Sequence, residues 1–332
     1  MHRSTRFAAT TMTAAAVTGV IAGALLSTTA LADVMTQAQT HIHVQTFTNE
    51  GATLRGTLYL PENHDGTPLP VVIVTGAWTS VEEQMPKTYA EAMVERGFAA
   101  FTFDFRGWGK SGDLAQGVRY REDPAAKISD IKAAIAHVSG LDALDVASIH
   151  GLGICASAGY MLDASVGNPA VTRVGLVAPW LQDRALVEAV YGGAEGVDGL
   201  IGVSRRAAAE GGQIIPAAGP EGAEGVLMPI GGYYHDPARG AIAAYDNRWD
   251  QASWEGWLSY HPADHAAAFD KPLAVVHSEA AAIPDGLRRF LDAFTGEATE
   301  RWLEDVTQFD FYDDPKHVAR AADAMATHFA AH

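Results

Sequence analysis

A chain of 332 residues that is 48% hydrophobic and 19% charged carries enough apolar material for a substantial core, which excludes disordered, collagen-like and coiled-coil classes. Its formal charge of −17, from 23 basic and 40 acidic residues, argues against nucleic acid or an anionic membrane surface as the main partner. The single cysteine, Cys155, excludes an intramolecular disulfide framework and a multi-thiolate zinc site.

Residues 1–32 read as a secretory signal. Arg3 and Arg6 precede a mostly apolar run to Leu26, and Ala30-Leu31-Ala32 supplies the small-x-small pattern of a cleavage site. Threonine and alanine dilute the run, which favours a cleaved signal over a retained anchor. The sequence thus predicts a secreted or periplasmic protein with no stable membrane insertion after cleavage behind Ala32, since no second stretch approaches the ~20 apolar residues of a span.

Two alternating segments, 41–49 and 53–61, separated by Glu50-Gly51-Ala52, predict an antiparallel hairpin. Short β-branched runs then alternate with helical patterns: 71–76 then 84–96, 98–105 then 125–139, 145–150 then 156–167, and 172–180. After a gap come 271–278 and 285–295. Near-continuous apolar strands between amphipathic helices predict an α/β fold, with a mostly parallel sheet covered on both faces. Asp314 and Pro315 read as the N-cap and first position of a last helix, with Val318, Ala322, Met325 and Phe329 on its apolar face. The core is thus predicted in two parts, 33–180 and 271–332, around an insertion at 181–270. Thirteen of the 33 glycines fall within residues 192–240. The insertion is read either as a helical lid whose aromatic residues line a pocket, or as a small subdomain packed around Trp249, Trp254 and Trp257.

The segment Gly151-Leu152-Gly153-Ile154-Cys155-Ala156-Ser157-Ala158-Gly159-Tyr160 follows a strand and opens a helix. As G-x-G-x-x-A it imitates a dinucleotide fingerprint, but no ribose-binding acid ends the next strand, where Ala178-Pro179-Trp180 stand. As a nucleophile elbow it places Cys155 between the small residues Gly153 and Ser157. Ser157 is the alternative nucleophile, although that register pushes it into the helix. Gly107–Gly112 ends like a phosphate-binding loop, but Asp104 stands where the full pattern needs glycine. No H-E-x-x-H or calcium-loop spacing appears, and no metal or other cofactor is predicted.

The order of VVIVTGAW, FAAFTFDFRGWGKSG, GLGICASAG, KPLAVVHSEAAAIP and TQFDFYDDP resembles the α/β-hydrolase superfamily over about residues 43–330, with D-F-R-G-x-G-x-S (Asp104 to Ser111) a strong part of the likeness. Cysteine at the elbow is similar to the dienelactone hydrolases and to secreted relatives, although Ser157-Ala158 replaces their paired glycines. The resemblance implies an oxyanion site made by the amides of Ala77 and Ala156. It implies an acid four residues after His277, where Ala281 stands with Glu279 the nearest acid, and a base where Gln308 stands. His317 is a weak alternative base, while His235, His261 and His265 lie in or after the insertion. His150 reads as a buried histidine with a local hydrogen bond, and His41 and His43 as structural.

A positioned general base is worth about 10²–10⁴ in rate, so a cysteine enzyme lacking one suits activated acyl compounds. The function expected is cleavage of a small carboxylic ester, thioester or lactone through Cys155. The alternative is a catalytically silent fold that binds a small-molecule ligand, with Cys155 an inert core residue.

Overall fold

The structure, a computed structural model, describes residues 40–331, so the export signal read in residues 1–32 lies outside the described residues. Strands β1 (Thr40–Asn49) and β2 (Ala52–Pro61) form the hairpin, paired from Thr40 with Pro61 to Asn49 with Ala52. There follow β3 (Leu69–Thr75), α1 (Met85–Val94), β4 (Ala99–Phe103), α2 (Pro124–Val138), β5 (Leu144–Ile154), α3 (Ser157–Ser165) and β6 (Val171–Val177). The segment 181–270 holds α4 (Arg184–Val190), α5 (Gly193–Ala209), the short antiparallel pair β7 (Ile214–Pro216) and β8 (Arg248–Asp250), and α6 (Trp254–Leu258). The chain returns through β9 (Leu273–Ser278), α7 (Pro284–Ala293), β10 (Ala298–Leu303), α8 (Asp310–Asp313) and α9 (Pro315–Phe329).

Eight strands make one sheet in the order β1-β2-β4-β3-β5-β6-β9-β10. Only the β1/β2 and β2/β4 pairs are antiparallel; the other five are parallel. The central strands are buried on both faces because helices cover both, with α1 packed on α9 and α2 on α3. This is the architecture the apolar runs predict. Helix α2 begins where the sequence says it should: the Asp123 carboxylate accepts the Ala126 N–H at 3.0 Å, and Pro124 takes the first position. Asp314 caps α9 in the same way. Among the described residues no helix is long and apolar enough to cross a membrane.

The D-F-R-G-x-G-x-S segment is structural. Asp104 accepts the N–H groups of Glu82 and Lys110, each at 2.8 Å, and so ties the loop after β4 to the loop after β3. Lys110 pairs with Glu83, and the segment presents no phosphate cradle. Arg106 is buried between Asp130 and Glu50, 2.6 and 2.8 Å away.

Beside it, Lys127 reaches Glu122 at 2.7 Å with both side chains enclosed, under the rings of Phe105, Trp108 and Tyr160, while the Tyr160 hydroxyl donates to Glu122 at 2.8 Å. Removing one partner of such a pair leaves the other charge buried and uncompensated. Lys127→Met is therefore expected to cost about 3–5 kcal/mol in urea unfolding; a loss below about 1 kcal/mol contradicts this reading of the pair.

Two buried histidines set a pH limit on the fold. His150 stacks on Phe329 with its Nδ1 2.9 Å from the Thr172 hydroxyl, and fully buried His277 packs against Trp302. Burial holds both imidazoles down to about 4. The unfolded chain takes up these protons from about pH 6.5 and the folded chain only near 4. Their contribution, about 3 kcal/mol each, is thus complete above pH 6.5 and lost as pH falls toward 4. Glu82 acts in the opposite sense: burial first, then Asp104, raises its carboxyl to about 7, so its contribution is lost as pH rises from about 4.5 through 7. Thermal melts between pH 4.5 and 8 are expected to show a shallower acid limb in His277→Phe than in the unmodified protein. An unchanged limb contradicts the assignment.

Candidate active site

Strand β5 runs into α3 through Cys155, whose φ is +56°. A left-handed conformation at a residue with a side chain costs of order 1–3 kcal/mol, and it turns the thiol outward at the carboxyl end of the sheet. The close approach of strand and helix demands a glycine at 153, where a Cβ would stand 2.7 Å from the Ala158 Cα. A Cβ on Gly151 would strike the Met161 side chain at 2.4 Å. The packing of α3 against β5 thus accounts for both glycines without a dinucleotide. Backbone bonds lock the elbow: Cys155 N–H donates to Val177 O at 3.1 Å, and Trp180 N–H donates to Cys155 O at 2.9 Å.

Cys155 opens onto a cavity of about 380 Å³. Its walls come from the loop after β3 (Trp78), the strand ends (Ala156, Trp180), the 181–270 segment (Met228, Tyr234, Trp257) and the loops after β9 and β10 (Ala281, Gln308). Trp249 and Trp254 pack behind the wall, at ring separations of 5.7 and 6.2 Å from Trp78. The tryptophans of the insertion thus both pack and line.

The Tyr312 hydroxyl, the backbone amides of Ala156 and Trp78, and the Gln308 carboxamide lie near the sulfur. Each favours a thiolate, yet burial outweighs them and pushes the thiol above its ordinary value. The resemblance implies the Ala77 amide as an oxyanion donor; the amide near the sulfur is that of the next residue, Trp78. Ala77 begins a turn in which its carbonyl accepts from Ser80 N–H at 3.2 Å and Ser80 Oγ at 2.7 Å, with Thr79 at φ +64°. The turn brings the next residue's N–H to the sulfur.

Gln308 lies where the resemblance puts a base, and its orientation is fixed by two backbone groups that cannot change role. Ala282 N–H donates to Oε1 at 3.0 Å, and Nε2 donates to Ala178 O at 2.9 Å and to the Tyr312 hydroxyl at 3.1 Å. The Tyr312 proton is then free to turn toward Cys155, at the end of this chain of donors. Nothing in that chain accepts the thiol's proton.

The remaining expectations are corrected by position. Glu279 is largely exposed, pairs with Arg288 and does not line the cavity. Ser157 is fully buried in the first turn of α3, donating to Ile154 O at 3.1 Å and accepting Ile154 N–H at 3.2 Å; the helix encloses it and it cannot be a nucleophile. His317 sits in the first turn of α9, 3.9 Å from Asp314, and does not line the cavity. His235 is exposed, His261 bonds Leu258 O at 3.1 Å, and His265 bonds Asp163 at 2.9 Å. His41 bonds Glu62 O on the outer strand, and exposed His43 lies beside it. Tyr312 and Trp78 are the site residues the sequence reading missed. The spacing of Tyr312 four after Gln308 is the one local signal for either.

Thr79, Cys155, Ala178 and Ile283 all have positive φ, and each lines the cavity, adjoins a lining residue, or bonds one. Strain of this kind concentrates at functional sites. Among the described residues no cluster of three or more His, Cys, Asp or Glu could hold a metal ion.

No family model matches the chain. It is 37% identical over 130 residues to the uncharacterized protein PA2218 of Pseudomonas aeruginosa, a match covering 39% of this chain and 34% of that protein; the likeness thus spans about a third of the relative's length. The crystal structure of PA2218 superposes with a TM-score of 0.74 at 22% identity, over 87% of this chain and 93% of that one. DcsB, solved in complex with its substrate analogue, gives 0.73 at 18% identity, over 87% and 98%. The alpha/beta hydrolase GrgF from Penicillium sp. sh18 gives 0.66 at 17% identity, over 88% and 100%. Strand order, elbow and these superpositions together establish that the chain adopts the α/β-hydrolase fold.

Proposed function

We propose that this protein is an exported thiol-dependent acyl hydrolase that cleaves a small activated ester, thioester or lactone. The observation that carries the reading is Cys155 at a strained elbow, open to a cavity and flanked by two backbone donors. The acyl carbonyl oxygen would lie between the Ala156 and Trp78 amides, a pair of preorganised donors of the kind worth about 10²–10³ each in rate. Sulfur attacks the carbonyl carbon, the bond to the leaving group breaks, and the thiol proton departs with that group. Water then attacks the thioester, the C–S bond breaks, and a proton returns to sulfur. Because Gln308 cannot take a proton, the leaving group itself must serve as base in the first step, which favours a thiolate or activated phenolate. The likeness to DcsB, solved with a substrate analogue, is consistent with a small-molecule site.

A binding role without turnover is favoured by one observation, the lack of imidazole or carboxylate among the cavity residues. Rapid mixing with phenyl thioacetate separates the two. The acyl-transfer reading predicts a burst of one thiophenol per chain followed by slow turnover, because water has no base to activate it; no burst and no turnover leaves only binding. Export belongs to the same proposal. Expression with an intact N-terminus should yield protein beginning at Asp33, and retention of Met1 in the recovered protein contradicts it.

A further inference from the structure

We infer that the Cys155 cavity selects an uncharged aromatic acyl group of about two fused rings. The word acyl rests on the hydrolase reading above; the recognition itself does not.

Size comes first. A cavity of about 150 Å³ holds one benzene, and this one measures about 380 Å³. Shape comes from two aromatic groups that line it with no ring contact between them. Trp78 is stacked on Trp257 at 4.8 Å and 22°, with Trp180 at 6.3 Å. Separately, Tyr234 and Tyr312 flank Phe309 at 5.9 and 5.7 Å. Flat faces on both groups suit a planar ligand by stacking and edge contacts.

Charge is excluded by what lines the space. The cavity residues include no Asp, Glu, Lys, Arg or His, so an ionised ligand group would be desolvated without a counter-charge. Tyr234 is 3% exposed, and its hydroxyl has no hydrogen-bond partner. The Trp78 indole N–H is likewise buried and unpartnered. Neither atom has surface open to the cavity, so both side chains present it with their rings alone.

The test uses unreactive ketones, so that binding is read apart from chemistry. Tryptophan fluorescence quenching of the full chain and of Cys155→Ala is titrated with 2-acetylnaphthalene, 6-methoxy-2-acetylnaphthalene and 6-acetyl-2-naphthoate. The neutral ketones are expected to bind both proteins at least about 100-fold more tightly than the naphthoate. Ala281→Leu, which fills the cavity from a loop, should weaken all three. Equal or tighter binding of the naphthoate, or no binding of either ketone, overturns the inference. A thioester burst with phenyl thioacetate in the absence of ketone binding overturns the inference alone. Ketone binding as expected with no burst from the 6-methoxy-2-naphthoyl phenyl thioester overturns the hydrolase reading and leaves the recognition standing.

Discussion

Cys155→Ala is expected to lower the rate of thioester cleavage by about 10³-fold or more, to a residue owed to binding and the two backbone donors alone. In a covalent mechanism the nucleophile is the element whose loss removes the acyl intermediate, and knocking out such a residue removes nearly all of the catalysis that its supporting groups provide. The substitution is conservative for folding. Alanine fits the small-residue elbow, and Cys155 makes its locking bonds through the backbone, to Val177 and Trp180. The variant should therefore keep its thermal midpoint near that of the parent while losing the burst. Ser157→Ala supplies the contrast. It removes only a hydroxyl bonded to Ile154, so burst amplitude should be unchanged. Comparable cleavage by Cys155→Ala and the parent contradicts the assignment of the nucleophile.

A second large effect runs in the opposite direction. Installing histidine at position 308 alone is expected to give less than about a tenfold gain in deacylation, because the local hydrogen bonding selects the wrong tautomer. Ala282 N–H, which now donates to the Gln308 Oε1, would donate to one ring nitrogen and force the proton onto the other, the one facing Cys155. An imidazole so oriented donates where it should accept, and the wrong tautomer in a triad costs about 10⁴. Adding a carboxylate at Ala281, which lines the same cavity, would reverse that polarity. The double variant Gln308→His with Ala281→Asp is thus expected to raise steady-state turnover by about 10²–10³ over Gln308→His alone, within the range of a positioned general base. Single-turnover and steady-state rates measured together separate the two steps. A large gain from Gln308→His alone would show that the Ala282 amide does not control the tautomer.

The fold was legible because its determinants are local. The apolar runs that become β3 to β6 and β9, and the Asp-Pro starts of α2 and α9, are properties of neighbouring residues. Strand β10 was missed for a related reason: Ala298–Leu303 lies at the sheet edge, mostly exposed, and carries no apolar alternation to read. Strand β6 was read three residues too long, to Trp180, because the stop is a backbone conformation, φ +43° at Ala178.

The elbow was legible too, since the need for small residues around Cys155 is written in the chain. Its surroundings were not. Whether Ala77 or Trp78 turns its amide to the sulfur depends on a turn closed by Ser80, which shifts the donor by one residue. Glu279 is near the acid position in sequence, but Arg288 from α7 draws it into solvent. Tyr312, on α8, lines the same cavity as Cys155, a meeting of residues far apart in sequence. Pair contacts of that kind have no one-dimensional signature.

The claim that Cys155 is an acyl-accepting nucleophile is tested most directly by quenching the reaction of the full chain with 6-methoxy-2-naphthoyl phenyl thioester in acid at early times and weighing the protein, followed by peptide mapping. The account predicts one acyl group per chain on the peptide bearing Cys155, lost in Cys155→Ala and kept in Ser157→Ala. Thiophenol released with no mass added at Cys155, or an acyl group found elsewhere, contradicts it.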